Sequence, residues 1–101
     1  MSVELKKEGN TLSMLPLGRM DERMGEEIPF HVRREFTREC SLLQLDFSHV
    51  DYISADGVRA MFSICRNLNG RRMELLHANA AIREVIAATG FLEVFGVKDA
   101  E

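Results

Sequence analysis

The run LLQLDF at residues 42–47 is nearly continuous in apolar residues and only as long as one strand. That length and character predict a strand buried on both faces at the centre of a parallel sheet. After a loop, Val58, Met61, Phe62 and Cys65 recur at i, i+3, i+4 and i+7, the period of a helix, and Gly70 supplies its stop. Residues 72–77 are again strand-like. Asn79 then offers an N-cap for a second stripe, Ile82, Val85, Ile86 and Thr89, closed by Gly90. Strand, helix, strand, helix over this half of the chain predicts a right-handed parallel crossover.

The first half reads differently. Residues 2–8 and 11–17 alternate apolar and polar side chains, and Gly9-Asn10 between them is a hairpin-turn pair. Pro16 cannot donate to a ladder, so the second strand should end there or lie at an edge. Residues 18–39 mix acids and arginines around Pro29. Proline is tolerated in a helix's first turn, which predicts a helix opening at Pro29 and running to about Glu39, with Val32, Phe36 and Cys40 on one face. The tail, residues 91–101, is expected to add one turn of helix or an edge strand. The sum is an α/β fold over residues 1–101: a single small domain whose mixed β-sheet, an N-terminal antiparallel hairpin followed by parallel strands, carries helices packed on it.

Composition narrows the function. With 101 residues, 46% of them hydrophobic and 29% charged, the chain has the make-up of one ordinary globular domain. A formal charge of -3 leaves no basic surplus for a dedicated nucleic-acid or polybasic membrane binder. Two cysteines without a CxxC pair suit a reducing compartment, and Cys65 on a helix stripe reads as an inert core thiol. The N-terminus carries charges where a signal peptide needs an apolar core, and no stretch approaches a membrane span, so the expected location is the cytoplasm and no direct membrane insertion is expected. His31, His49 and His77 lack metal-ligand spacing, and the familiar nucleophile, metalloprotease and phosphate-cradle motifs are missing. No metal, no cofactor and no enzymatic activity are expected.

Open α/β sheets place their sites outside the carboxyl ends of the strands, which directs attention to the loop at residues 48–57 after the central strand. There LLQLDFSHVDYISADGVRAM, a buried strand ending in Asp-x-Ser, then Val, Tyr-Ile, a small-residue cluster and a Gly opening a helix, resembles the STAS domain family. That family comprises bacterial anti-sigma factor antagonists and the cytoplasmic domains of sulfate transporters. The likeness extends to GRMD at residues 18–21 and to AAIREVIAATGFLEVF at residues 80–95, so it covers nearly the whole chain. In antagonists the helix opens with Asp-Ser-Ser/Thr-Gly, and the hydroxyl residue before Gly is phosphorylated by the anti-sigma kinase. Aligned on Gly57, this chain reads Ser54-Ala55-Asp56-Gly57, which puts Asp56 at the phosphoacceptor position. The departure implies that position 56 is not a phosphorylation switch.

From the residues alone, Ser54 is an N-cap and Asp56 a first-turn acid facing the positive helix end. The functional reading adds that a fixed carboxylate, one charge against a phosphate's roughly -1.5 to -2, stands on a partner-docking surface. Ser54 is the substitute candidate acceptor. Arg59 is within reach of Asp56 or Glu74. Together Ser48, His49, Tyr52, Ser54, Ala55, Asp56, Gly57, Val58 and Arg59 are the expected partner-binding residues. The resemblance implies a regulatory protein-binding module that acts in the control of transcription and whose partner is an anti-sigma factor with a kinase-like ATP-binding fold. The alternative it offers is a cytoplasmic STAS subunit that regulates the ATPase of a lipid-type ABC transporter. An enzymatic reading would need Ser54, His49, Asp51 and Asp56 to converge, and neighbours on one short loop rarely do.

Overall fold

Residues 42–46 form the middle strand of the main sheet in a computed structural model that describes residues 3–90, 93 and 98–100. In chain order the elements are β1 (Val3–Glu8), β2 (Thr11–Pro16), β3 (Gly18–Met20), α1 (Glu22–Glu35), β4 (Leu42–Asp46), β5 (Val50–Ile53), α2 (Ala55–Arg66), β6 (Arg72–Leu76), α3 (Ala80–Ala88) and β7 (Lys98–Ala100). The main sheet has the order β1-β2-β4-β6-β7. Its first pair is antiparallel and the rest are parallel. The expected mixed sheet with an N-terminal hairpin is therefore the one observed. Glu8 faces Thr11 across a two-residue turn whose Gly9 has φ +57°, a conformation that glycine adopts freely. The second strand ends at Pro16 as expected.

Among the described residues, one face of the sheet is fully buried and the other is half-buried. Leu43 sits between Leu12 and Met73, and Leu45 between Met14 and Leu75, all nearly inaccessible to solvent. The intervening row runs Ser13, Gln44, Glu74. Ser13 Oγ donates to Gln44 Oε1 at 2.8 Å, and Gln44 Nε2 donates to Glu74 Oε1 at 3.0 Å. This corrects the prediction that residues 42–47 are covered on both sides. The helices join one hydrophobic cluster with the apolar row, and the polar row satisfies itself on the other face.

The first helix is a second correction. It starts at Glu22, with Asp21 as N-cap accepting from the Met24 N–H at 3.2 Å, and ends at Glu35 with Pro29 in its interior. Proline there removes the bond to the Gly25 carbonyl and crowds it, which disfavours a helix through Pro29 on local grounds. Tertiary packing overrides that cost: Met24, Ile28 and Val32 are buried, and a Cβ on Gly25 would stand 3.1 Å from the Ala60 Cβ of α2. Two short strands, β3 and β5, were also unforeseen; they pair in parallel as a separate small sheet.

Later elements follow the periodicity with shifts. α2 ends at Arg66, ahead of Gly70, and buries Val58, Ala60, Met61 and Ile64, while Phe62 and Cys65 are half-buried. Burial pushes the Cys65 thiol up to about 11, so it stays protonated at neutral pH. In α3, capped by Asn79, Ile82 and Ile86 are buried, whereas Val85 and Thr89 of the predicted stripe are exposed. The edge strand expected of the tail is β7, beside β6; most of residues 91–97 lie outside the described residues.

Because Leu45 is fully buried in the central strand, Leu45→Ala should lower unfolding stability by about 2–5 kcal/mol. Urea denaturation with an unchanged slope checks this. A loss below about 1 kcal/mol would contradict the packing described.

Candidate functional site

The segment expected to be one loop contains a strand. After β4, a turn at residues 47–49 leads into β5, and Ser54 then caps α2. Asp46 anchors the turn: Oδ1 accepts the Ser48 N–H at 3.0 Å and lies 3.0 Å from His77 Nδ1. Burial works to raise the Asp46 carboxyl, but the bonds from Ser48 and His77 outweigh it and hold the group below its ordinary value. His77 has φ +59°, the left-handed region uncommon outside glycine, so its backbone is committed to this corner. On the far side of the turn, the His49 carbonyl accepts the Gly18 N–H at 2.8 Å, joining it to β3.

The start of α2 is locked against β3. The Ser54 hydroxyl accepts the Gly57 N–H at 3.1 Å, and the Ser54 N–H donates to the Met20 carbonyl at 3.0 Å. A Cβ at Gly57 would stand 2.1 Å from the Met20 carbonyl oxygen, so only glycine permits the β3 backbone to cross the first turn of α2. Gly57 and Val58 are buried. The accessible surface at this place is therefore made by other residues of the expected set: Ser48, His49, Tyr52, Ala55, Asp56 and Arg59 are exposed, and Ser54 is half-buried.

Two contacts order that surface. Asp56 pairs with Arg59 one turn on, while Glu74, the other candidate partner, bonds to Gln44 and lies 3.9 Å from Arg72. The Arg19 guanidinium lies 4.1 Å from the Tyr52 ring centroid and its Nε 3.7 Å from Asp21 Oδ2. Arg19 was missed from sequence because its partner is a residue on a neighbouring strand; the only signal was its place in GRMD. Beside Tyr52, residues of β5 and α3 (Asp51, Ile53, Ala81, Ile82 and Val85) enclose a shallow groove of about 190 Å³. Tyr52 and Val85 are each more than two-fifths exposed, which gives the surface an apolar component.

Among the described residues, none of His49, Asp51 and Asp56 hydrogen-bonds to Ser54, whose hydroxyl oxygen is taken up by the helix cap. Nor does any group of three or more His, Cys, Asp or Glu among them converge as a metal site, and His31 is engaged with Glu27 at 3.3 Å. No helix among the described residues is long and apolar enough to cross a membrane.

Comparison with known proteins follows the same lines. The family model described as the STAS domain matches residues 4–101. An anti-sigma factor antagonist from Mycobacterium paratuberculosis superposes with TM-score 0.78 at 16% identity, covering 95% of this chain and 83% of that one. The Bacillus cell fate determinant SpoIIAA in its phosphorylated form superposes with TM-score 0.73 at 20% identity, covering 98% and 91%. The anti-sigma factor antagonist SpoIIAA in its unphosphorylated form does so with TM-score 0.70 at 19% identity, covering 84% and 81%. No match was found among curated protein sequences.

The geometry yields two expectations. Gly57→Ala should destabilise the domain by about 1–3 kcal/mol or more, because the new methyl meets backbone and not a flexible side chain. Thermal or urea unfolding of the variant measures it. The depressed Asp46 carboxyl contributes stability that is present above its unfolded value, near 4, and is lost as pH falls through the folded one. Asp46→Asn should therefore flatten the acid limb of a stability-versus-pH curve below about pH 4, and an unchanged limb would show that Asp46 is not so held.

Proposed function

This chain belongs to the STAS domain family, and from that premise we propose that it is a non-enzymatic regulatory module that binds a protein partner in the manner of an anti-sigma factor antagonist. The docking surface is the exposed side of residues 48–59 together with Arg19: Tyr52 and the β5–α3 groove form its apolar part, Asp56 and Arg59 its charged rim. One observation carries the reading. Gly57 and Met20 hold the start of α2 rigidly while leaving Asp56 and Arg59 in solvent, so a partner meets a preorganised surface.

The fold is shared with antagonists, including SpoIIAA solved in phosphorylated and unphosphorylated forms. In this chain Asp56 stands where antagonists carry the phosphoacceptor, and it is paired with Arg59. A carboxylate balanced by its own guanidinium is a poor imitation of a phosphate. The surface accordingly presents a fixed, locally neutral pair, and binding is constitutive at this position. A partner must supply both a cation for Asp56 and an acceptor for Arg59. A protein with a kinase-like ATP-binding fold is the partner class that the family suggests.

The partner that co-purifies with the tagged protein from its own cell is the reagent for the test. Asp56→Ser should weaken its binding by about 1–3 kcal/mol in calorimetric titration, through loss of a charge-assisted contact. Equal affinities would reduce Asp56 to a helix-end acid, and tighter binding would mean that Asp56 acts as a permanent off-signal. With a kinase-type partner and labelled ATP, residues 54–57 should stay unlabelled, since Asp56 has no hydroxyl and that of Ser54 caps α2. Stoichiometric phosphate on Ser54 would restore a phosphorylation switch.

A further inference from the structure

One charge in the first turn of α1 runs against local preference. Arg23 is the second residue of that helix, where the positive end of the macrodipole favours acids and opposes cations. Its neighbours do not offset this. Arg23 is exposed and makes no ion pair among the described residues, although Glu26 and Glu27 stand three and four positions on. Glu27 is engaged with His31 instead.

The packed chain sets a second guanidinium beside it. Arg19 of β3 and Arg23 both line a cavity of about 240 Å³, whose other walls are Leu17, Gly18, Asp21 and Met24. Asp21 cannot balance two cations. One of its oxygens caps α1 by accepting the Met24 N–H, and the other lies 3.7 Å from Arg19 Nε. The lining therefore keeps one unbalanced positive charge. Like charges gathered around one cavity oppose the stability of the free domain, and local rules are broken in this way where a surface serves binding. The cavity also adjoins the surface proposed for docking. Arg19 stacks on Tyr52, its register partner across the β3–β5 pair, and a Cβ on Gly25 would stand 3.5 Å from the Asp56 carbonyl oxygen.

From the unpaired Arg23 and the cavity it shares with Arg19 we infer that this corner is an acid-binding subsite, into which a partner protein inserts one Asp or Glu side chain. The inference rests on the docking reading above and adds to it the sign and the place of a charge on the partner. A guanidinium meets a carboxylate through a fork of N–H donors, and Arg19, already held against the Tyr52 ring, loses little freedom on binding. One carboxylate matches the one unbalanced charge. A phosphate dianion would bring excess negative charge beside Asp21, so a phosphorylated or nucleotide ligand is the poorer fit.

Carbodiimide cross-linking with the isolated co-purifying partner tests this, because it joins an amine to a touching carboxylate as an amide, the carbodiimide taking up the water released. In the Arg23→Lys variant, peptide mapping should find the new amine joined to an Asp or Glu of the partner. Arg23→Gln should bind about five- to tenfold less tightly in calorimetric titration, Arg23→Glu less tightly still, and Arg23→Lys should recover part of the loss. In the free domain the side-chain Nε–H signals of Arg19 and Arg23 should shift with a blocked Ala-Glu-Ala peptide and not with Ala-Gln-Ala. Equal affinity of wild type and Arg23→Glu, an amine that links to no partner carboxylate, or equal shifts with the two peptides would overturn the subsite. A larger response to inorganic phosphate than to the Glu peptide would overturn it in favour of a phosphate ligand. Asp56→Ser and Tyr52→Ala, titrated alongside, separate the two readings. If they weaken binding while Arg23→Glu does not, the subsite alone falls; if none of the three alters binding, the docking surface falls with it.

Discussion

Everything in this domain hangs on covering one face of the sheet. Leu12, Met14, Leu43, Leu45, Met73 and Leu75 form two apolar rows across three parallel neighbours, and removing them from water is the largest favourable contribution available to so short a chain. Two helices side by side cover those rows, and the strand-to-strand crossovers oblige both to run in the same direction. Packing α1 tightly on α2 then becomes worth a proline in the interior of α1. The glycine at position 25 serves this arrangement twice, since it lets Ala60 approach and its carbonyl is the one that the Pro29 ring crowds.

The same geometry gives the molecule two unlike ends. At one end the carboxyl ends of β4 and β6 are tied by Asp46 and His77, and β3 crosses Gly57 to hold the start of α2. Rigid backbone there carries a small exposed set of side chains, in which an aromatic ring stacked by Arg19 adjoins the Asp56–Arg59 pair. At the other end each helix carries arginine in its last turn, and Arg33 lines a groove with Val32, Ile64 and Asn67.

What was legible in the sequence was whatever short-range patterns specify. The hairpin follows from alternation around Gly9-Asn10, β4 and β6 from apolar runs, and the starts of α2 and α3 from Ser54 and Asn79, because turn and capping chemistry act between residues at most three apart. The placement of Asp56 in the first turn of α2 is equally local, and so is its pairing with Arg59. Those elements also limit the chain to a mixed sheet carrying helices, since a strand, helix, strand succession leaves few other ways to bury its apolar faces.

The tertiary structure decided the rest, in each case because the deciding partner is distant in sequence. β3 and β5 are too short to show a period and become strands only by pairing with each other. A helix running through Pro29 violates local preference and exists because Met24, Ile28 and Val32 join the buried core while Gly25 packs against Ala60 of α2. Gln44, a polar residue in the apolar run, is satisfied by Ser13 and Glu74, which give its amide two bonds on the half-buried face. Arg19 stacks on Tyr52, and Arg33 comes to line one groove with Ile64 and Asn67, only once the chain is packed. Local preferences operate within a few residues, whereas a surface is assembled from whatever the packed core brings to the same side.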